Sequence, residues 1–392
     1  MPKAANPRAR TKPGGRSASV RLAAPPKVDP PFRARLSRLR KLVRKGGASH
    51  LLVTNPLDVA YLTGFHGGDS YLLVGENRPI IISDFRYEEE LDVVKGLANV
   101  RIRRGAMSAA VAGLMGELRV KSCAIQAEAM TLAERDVLAK SLGRGGAKRL
   151  LPTIGLVASM RAIKDETEIA LIKHAVRIQE AALLAVLPTI RAGQSELEVA
   201  ARLEAEMKSR GSSQPGFPTI VAARTNGSLP HYRPHGVTLA KGQPLLIDWG
   251  AIYQGYHSDM TRTFSLGRWS PQMREIYLIV LEAQEMAAAA LGPGKSTREI
   301  DAIARGHIAK AGYADRFGHG LGHGIGFNGH EDPRLSHMTG EATLEVGHVV
   351  TVEPGIYLPG IGGVRIEDDY VVTETGATRL CTLPKDLDWA TL

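Results

Sequence analysis

Two stretches of this chain repeat one another, and that repetition limits the fold more than any other feature. Residues 168–211 read as two helices joined through Gly193-Gln194-Ser195, with Ser195 and Glu198 spaced as an S-x-x-E capping box. Residues 275–312 follow the same plan, with Gly294-Lys295-Ser296 at the junction and Ser296 and Glu299 as the box. Gln179-Glu180-Ala181 in the first leading helix is answered by Gln284-Glu285-Met286 in the second. A strand-rich block follows each pair, at 217–267 and at 343–373. Two helix-helix-sheet halves, offset by about 100 residues, predict an α+β domain with pseudo-twofold symmetry and an antiparallel sheet across its middle.

The chain of 392 residues is long enough to hold a second domain before this one. Phe32, Leu36, Leu39 and Val43 recur at helical spacing among Arg and Lys, and Gly46-Gly47 ends the pattern. Short apolar runs at 51–53, 71–74 and 80–82 then alternate with helical stretches expected near 87–95 and 106–118. That is a smaller α/β domain, assigned to 31–155, with the repeated domain at 156–392. A long helix is expected from Lys164 to Ile190, with Ile169, Ile172 and Val176 on one face. Residues 1–30, rich in Pro, Ala, Arg, Lys and Gly, bury too little to order themselves and read as a flexible basic extension.

Charge is distributed unevenly. Net charge is +10, yet residues 1–45 hold fourteen Lys or Arg and one acid, so the rest sums to −3. A nucleic-acid-binding body is therefore a poor description. Cys123 and Cys381 are the only cysteines and neither lies in a CxxC, which points to a reducing compartment, the cytoplasm. The acid-poor start keeps an organelle transit peptide as the second reading. No apolar run reaches the roughly 18–20 residues of a membrane span.

Acids fall in pairs within the strand-rich blocks. Residues 244–266 read as a hairpin, and a two-residue turn at Gln254-Gly255 sets Asp248 opposite Thr261. Asp259 is then the diagonal neighbour of Asp248 on the same face, within about 7–8 Å. In the other half, 348–358 reads as a strand ending in Glu353-Pro354-Gly355. Residues 364–372 read as a strand with Arg365, Glu367 and Asp369 on one face. Glu353 closes an apolar run, where an unpaired carboxylate is costly. Between the pairs lie His319 and His323, separated by alternating glycines from 318 to 326, and then His330. Five glycines in nine residues oppose a helix, so His319 and His323 are not an HExxH pair. They belong to close-packed backbone at the edge of a site. One nitrogen and four carboxylates suit Mn²⁺ or another divalent first-row ion. Four acids match the charge of two such ions, which at about 3.5–4 Å share a hydroxide and polarise a carbonyl. The chemistry implied is hydrolysis.

Those residues resemble the pita-bread metallopeptidases, which include proline dipeptidase, aminopeptidase P, methionine aminopeptidase and creatinase. The resemblance covers about residues 32–380. It includes a weaker, creatinase-like N-terminal match at Asn55-Pro56, Tyr61-Leu62-Thr63-Gly64-Phe65 and Asp84-Phe85-Arg86-Tyr87. It implies that Asp248, Asp259, His323, Glu353 and Glu367 ligate two metals, Mn²⁺ first with Zn²⁺ or Co²⁺ as alternatives. Asp259 and Glu367 would bridge them, and Glu353 would exchange a proton with the bridging hydroxide. His231 would flank the substrate, His330 would contact the scissile carbonyl and His319 would line a proline pocket. Arg365 would hold the ligand shell by ion pairing, and Arg334 would bind the substrate carboxylate, a bidentate task suited to guanidinium. The implied activity is hydrolysis of Xaa-Pro dipeptides by a homodimer, with aminopeptidase P action on longer peptides as the alternative.

Phe217 departs from the pattern, standing where many members carry a tyrosine fourteen residues before the histidine matched by His231. A phenyl ring donates no hydrogen bond. The creatinase branch and the metal-free binding proteins of this fold lack the full ligand set that this chain retains. Gly294-Lys295-Ser296-Thr297 imitates the end of a P-loop, but Ala289 occupies the position of the required glycine and no apolar strand precedes it.

Overall fold

The computed structural model describes residues 31–392. The basic extension expected over 1–30, and the transit-peptide reading with it, lies outside the described residues.

Phe32–Lys45 forms the first helix and buries Leu36, Leu39 and Val43 along one stripe, as its spacing predicts. Gly47, at φ 79°, takes the left-handed turn that leads to the first strand. Six strands make a mixed sheet in the order Asn99–Ile102, Ile80–Ser83, Tyr71–Val74, His50–Val53, Cys123–Gln126, Leu150–Thr153. The helix expected near 106–118 is present as Met107–Glu117, but the one expected near 87–95 is not an α-helix. That stretch is two 3₁₀ turns, Phe85–Tyr87 and Glu90–Val94. Its buried anchors, Leu91 and Val94, stand three residues apart, the spacing at which a 3₁₀ turn aligns side chains.

The long helix is Glu166–Val186, shorter at both ends than its pattern. Asp165 caps it with a reciprocal box from Glu168, and Leu187–Thr189, containing Pro188, continues only as a 3₁₀ turn. Lys164 lies outside it, its backbone N–H donating to Gly347 O at 2.9 Å. Glu196–Ser209, Pro271–Ala289 and Thr297–Lys310 complete the two pairs. The Ser195–Glu198 box forms in full. At Ser296 only the Glu299 N–H to Ser296 Oγ half forms, and the serine hydroxyl donates to Glu341.

The repeat extends to individual hydrogen bonds. Gly193 N–H donates to Leu239 O and Leu239 N–H to Gln194 O, at 2.9 and 2.8 Å. Gly294 N–H donates to Leu344 O and Leu344 N–H to Lys295 O, at 2.8 and 2.9 Å. The predicted central sheet is two antiparallel sheets. One holds Ile220–Ala223, Pro244–Trp249 and Met260–Ser265, and the other is built from five strands around Val349–Val352 and Asp368–Thr373. They meet where Glu367 N–H donates to Thr261 O at 3.1 Å and Thr263 Oγ1 donates to Arg365 O at 3.1 Å.

Both strands expected to carry the second acid pair are interrupted at the acid. Val349–Val352 and Gly355–Leu358 are separated by Glu353-Pro354, and Gly362–Arg365 and Asp368–Thr373 by Ile366-Glu367. Pro354 has no N–H to continue a ladder. Beyond it the chain leaves the five-stranded sheet to pair Gly355–Leu358 with Gly362–Arg365. Glu353 and Glu367 thus sit at the crossover between sheets.

Candidate metal centre

The hairpin has the predicted register: Thr261 pairs with Asp248, and Tyr256 with Tyr253 across the Gln254-Gly255 turn. The ladder opens at Asp259, whose N–H donates to Asp369 Oδ2 at 3.1 Å. That opening turns the Asp259 carboxylate towards His323 and Glu367, and one ligand atom from each of the three lies within 4.8 Å of the others. All three residues are buried.

The glycine run supplies the histidine by close packing. A Cβ at Gly322 would stand 2.1 Å from Thr351 O, and one at Gly324 2.3 Å from Asp332 O. Only glycine lets Gly322–Gly324 lie between Val349–Val352 and Glu331–Leu335. His323 Nδ1 lies 3.1 Å from Gly324 O, which can only accept, so Nδ1 carries the proton. Nε2 is then a lone pair, and it faces Glu353 Oε1 at 3.4 Å and Asp259 Oδ2 at 3.8 Å. Burial, with His330 and Arg334 nearby, lowers the His323 pKa to about 3, so protonation does not relieve this contact. A cation between the acceptors does.

The remaining acids give the same indication. Asp248 Oδ2 pairs with Arg365 Nη2 at 2.7 Å, while Asp248 Oδ1 is buried with no hydrogen-bond partner. Glu367 Oε2 accepts from Thr261 Oγ1 at 2.6 Å, and Thr351 Oγ1 donates to Glu353 Oε1 at 3.3 Å. Burial, then repulsion from Glu367 and Asp248, pushes the Asp259 pKa far up; burial, then Glu353 and Asp248, does the same to Glu367. Burial raises Glu353 to about 7 against the pull of Arg365. Four carboxylates in one buried cluster cannot all ionise without a cation. The residues present fit a divalent metal centre rich in oxygen donors.

A cavity of about 450 Å³ opens over these five residues, a volume suited to a small peptide. His231, His319, His330, Arg334, Arg365 and Phe217 line it as well, whereas Asp369 does not. The His330 ring packs 4.0 Å from the His323 ring. Arg334 is the cross-strand neighbour of His323, and its guanidinium has no hydrogen bond or ion pair among the described residues. His319 Nε2 lies 2.8 Å from Tyr357 Oη.

Sequence reasoning missed the groups that hold the clustered acids and histidines in place. Tyr357 Oη also accepts from Arg365 Nη1 at 2.8 Å, and Arg365 Nε donates to Thr261 Oγ1 at 2.9 Å. Asp369 accepts from the Asp259 N–H, a bond that strand alternation does not predict. The available signal was a polar residue at alternate positions in otherwise apolar strands, as with Tyr357 in Gly355–Leu358.

Residues 170–374 match the profile of metallopeptidase family M24. The chain belongs to that family. Residues 35–163 match the creatinase/prolidase N-terminal domain, which accompanies the M24 region here. The chain is 34% identical over 363 residues to an Xaa-Pro dipeptidase of Pyrococcus furiosus, covering 91% of this chain and 100% of that one. A solved Xaa-Pro dipeptidase of Bacillus anthracis superposes with a TM-score of 0.88 at 36% identity, over 92% of this chain and all of the other. An X-Pro aminopeptidase of Thermotoga maritima superposes with a TM-score of 0.81 at 35% identity, over 89% and 99%. The M24 chain therefore has the pita-bread fold behind a creatinase-type N-terminal domain, and it is a metal-dependent peptidase.

Proposed function

We propose that this chain hydrolyses the peptide bond before proline in Xaa-Pro dipeptides, with two divalent cations held by Asp248, Asp259, His323, Glu353 and Glu367. Held there, such cations would supply Lewis acidity and a water nucleophilic near neutral pH. Mn²⁺ is the first choice of metal, with Zn²⁺ or Co²⁺ as alternatives. Asp259 from the first half and Glu367 from the second would be the residues shared by the two cations. Glu353, whose carboxylate borders the cavity, would accept and return the proton. His231 and His330 flank the scissile bond, and His319, held by Tyr357, lines the proline pocket. Arg365 fixes Asp248.

The observation that carries the choice of a dipeptide is Arg334. A guanidinium without an acid partner on the cavity wall suits the free carboxylate that only a C-terminal proline presents there. The similarity to an X-Pro aminopeptidase keeps peptides longer than two residues as the second reading. The deciding experiment compares Leu-Pro with Leu-Pro-Gly on protein stripped by chelator and reloaded with Mn²⁺, Zn²⁺ or Co²⁺. The expected result is no turnover without metal, greatest recovery with Mn²⁺, and preference for Leu-Pro. A faster rate on the tripeptide makes the chain an aminopeptidase; full activity after chelation removes the metal reading.

The domain division at 155 and 156, a homodimer and a cytoplasmic setting belong to the same reading. The buried, unpaired thiols of Cys123 and Cys381 are consistent with a reducing compartment. No described helix is long and apolar enough to cross a membrane.

A further inference from the structure

A line of buried charges joins the N-terminal sheet to the residue after His330, and the reaction described above does not use it. At the end of the strand Cys123–Gln126, Gln126 Oε1 accepts from the N–H groups of Thr54 and Asn55 at 2.8 and 3.0 Å. Its Nε2 donates to Asp58 Oδ2 at 2.5 Å. Asp58 Oδ1 pairs with Arg161 Nη1 at 2.5 Å, close to the end of the N-terminal family match. Arg161 Nε lies 3.1 Å from Glu331 Oε1, and Lys164 Nζ lies 3.1 Å from Glu331 Oε2. All four charged side chains are less than a tenth exposed.

Two acids and two bases balance in charge, so the line is not a metal or anion site. It terminates at the backbone of the cavity. Glu331 Oε1 also accepts from Asn328 N–H at 2.9 Å, closing the turn that carries His330. A Cβ on Gly326 would stand 2.6 Å from Lys164 Cε, so the lysine stem packs directly on the same turn. The His330 ring makes no hydrogen bond among the described residues, and its ring contact is with His323. Its placement therefore depends on its backbone, and that backbone is held at residue 331.

We propose that Asp58, Arg161, Lys164 and Glu331 are positioning residues that tether the His330 turn to the N-terminal domain, so that Asp58 controls turnover without touching substrate. The proposal rests on His330 contacting the substrate, and its test separates the two claims. Mn²⁺-loaded full-length protein is compared as parent, Asp58→Asn, Glu331→Gln, the double variant and His330→Ala, with Leu-Pro as substrate and Mn²⁺ affinity measured by calorimetry. Rates are normalised to folded, metal-loaded protein.

The expected result is a kcat loss of roughly fivefold to twentyfold in Asp58→Asn with Mn²⁺ affinity unchanged, since no ligand bonds to the line. The double variant should lose no more than Glu331→Gln alone, because both act through one turn. Asp58→Glu should restore most of the rate. A kcat within twofold of the parent in Asp58→Asn, or losses that multiply in the double variant, overturns the tether. An unchanged rate in His330→Ala instead removes the role assigned to His330. Should Asp58→Asn fail to fold, Arg161→Lys keeps the charge but cannot span both Asp58 and Glu331, and the same outcomes decide.

Discussion

Arg365 Nη2 stands 2.7 Å from Asp248 Oδ2, and the contact crosses from the second half of the repeated domain to the first. Asp248 is buried, so its charge depends on that guanidinium until a cation arrives. The same arginine reaches Thr261 and Tyr357, which in turn touch Glu367 and His319. Arg365→Lys keeps the charge and loses the fork. Loss of a group that orients ligands costs about 10- to 100-fold in metal affinity or activity. Calorimetric titration of Mn²⁺ with steady-state rates on Leu-Pro measures it, and parental values for both would deny Arg365 this role.

Asp259 is a stricter test of the metal reading. Burial and the neighbouring acids hold the Asp259 carboxyl in its neutral form when no metal is bound, so Asp259→Asn should leave the metal-free protein no less stable than the parent. Turnover should nevertheless disappear, with bound metal falling below the parent's content by elemental analysis. Full activity in a variant that has lost metal would leave the five-ligand assignment without support.

Arg334→Ala separates substrates by their ends. A hydrogen bond to a charged group contributes about 1.5–3 kcal/mol, so kcat/KM on Leu-Pro should fall roughly 10- to 100-fold. The rate on Leu-Pro-Gly should change by less than about threefold. An equal loss on both peptides would mean that Arg334 serves the metal centre or the fold and does not read a carboxylate.

What the sequence carried was whatever depends on period and turn chemistry. The register that brings Asp248 and Asp259 together follows from one two-residue turn, and the pseudo-twofold axis follows from two repeated caps. The failures share a different cause. Glu353 and Glu367 interrupt their strands because the chain changes sheets there, and no local pattern encodes a change of partner. The 87–95 stretch has helix-forming acids but only two buried anchors, so packing chose the shorter turn. Tyr357 and Asp369 act through neighbours more than a hundred residues away or across a sheet, and they remain invisible until the halves are folded together.

Phe217 lines the cavity beside Gly250, where a Cβ would stand 2.8 Å from Phe217 Cε1. The ring is fixed by that close approach and presents no donor to the site. Phe217→Tyr adds a hydroxyl donor to the cavity wall. One new hydrogen bond contributes about 0.5–1.5 kcal/mol, so kcat on Leu-Pro should change by about two- to tenfold. Identical kinetics would show that the phenyl ring is simply part of the wall.

The junction of the domains should make stability depend on pH through Glu168. Its Oε2 lies 3.2 Å from Arg35 Nη2, and its Oε1 accepts from Tyr256 Oη at 3.0 Å. Burial outweighs the pull of Arg35 and holds the Glu168 pKa up to about 7. A carboxyl with a raised folded pKa contributes stability that is complete below its unfolded value near 4.3 and is lost as pH climbs to about 7. Parent protein should therefore lose of order 3 kcal/mol from this group between about pH 4 and 8, while Glu168→Gln should lose none of it. Urea midpoints of both proteins at pH 5 and pH 8 measure the difference. If the two midpoints shift in parallel, Glu168 is ionised throughout and its pairing with Arg35 governs the junction instead.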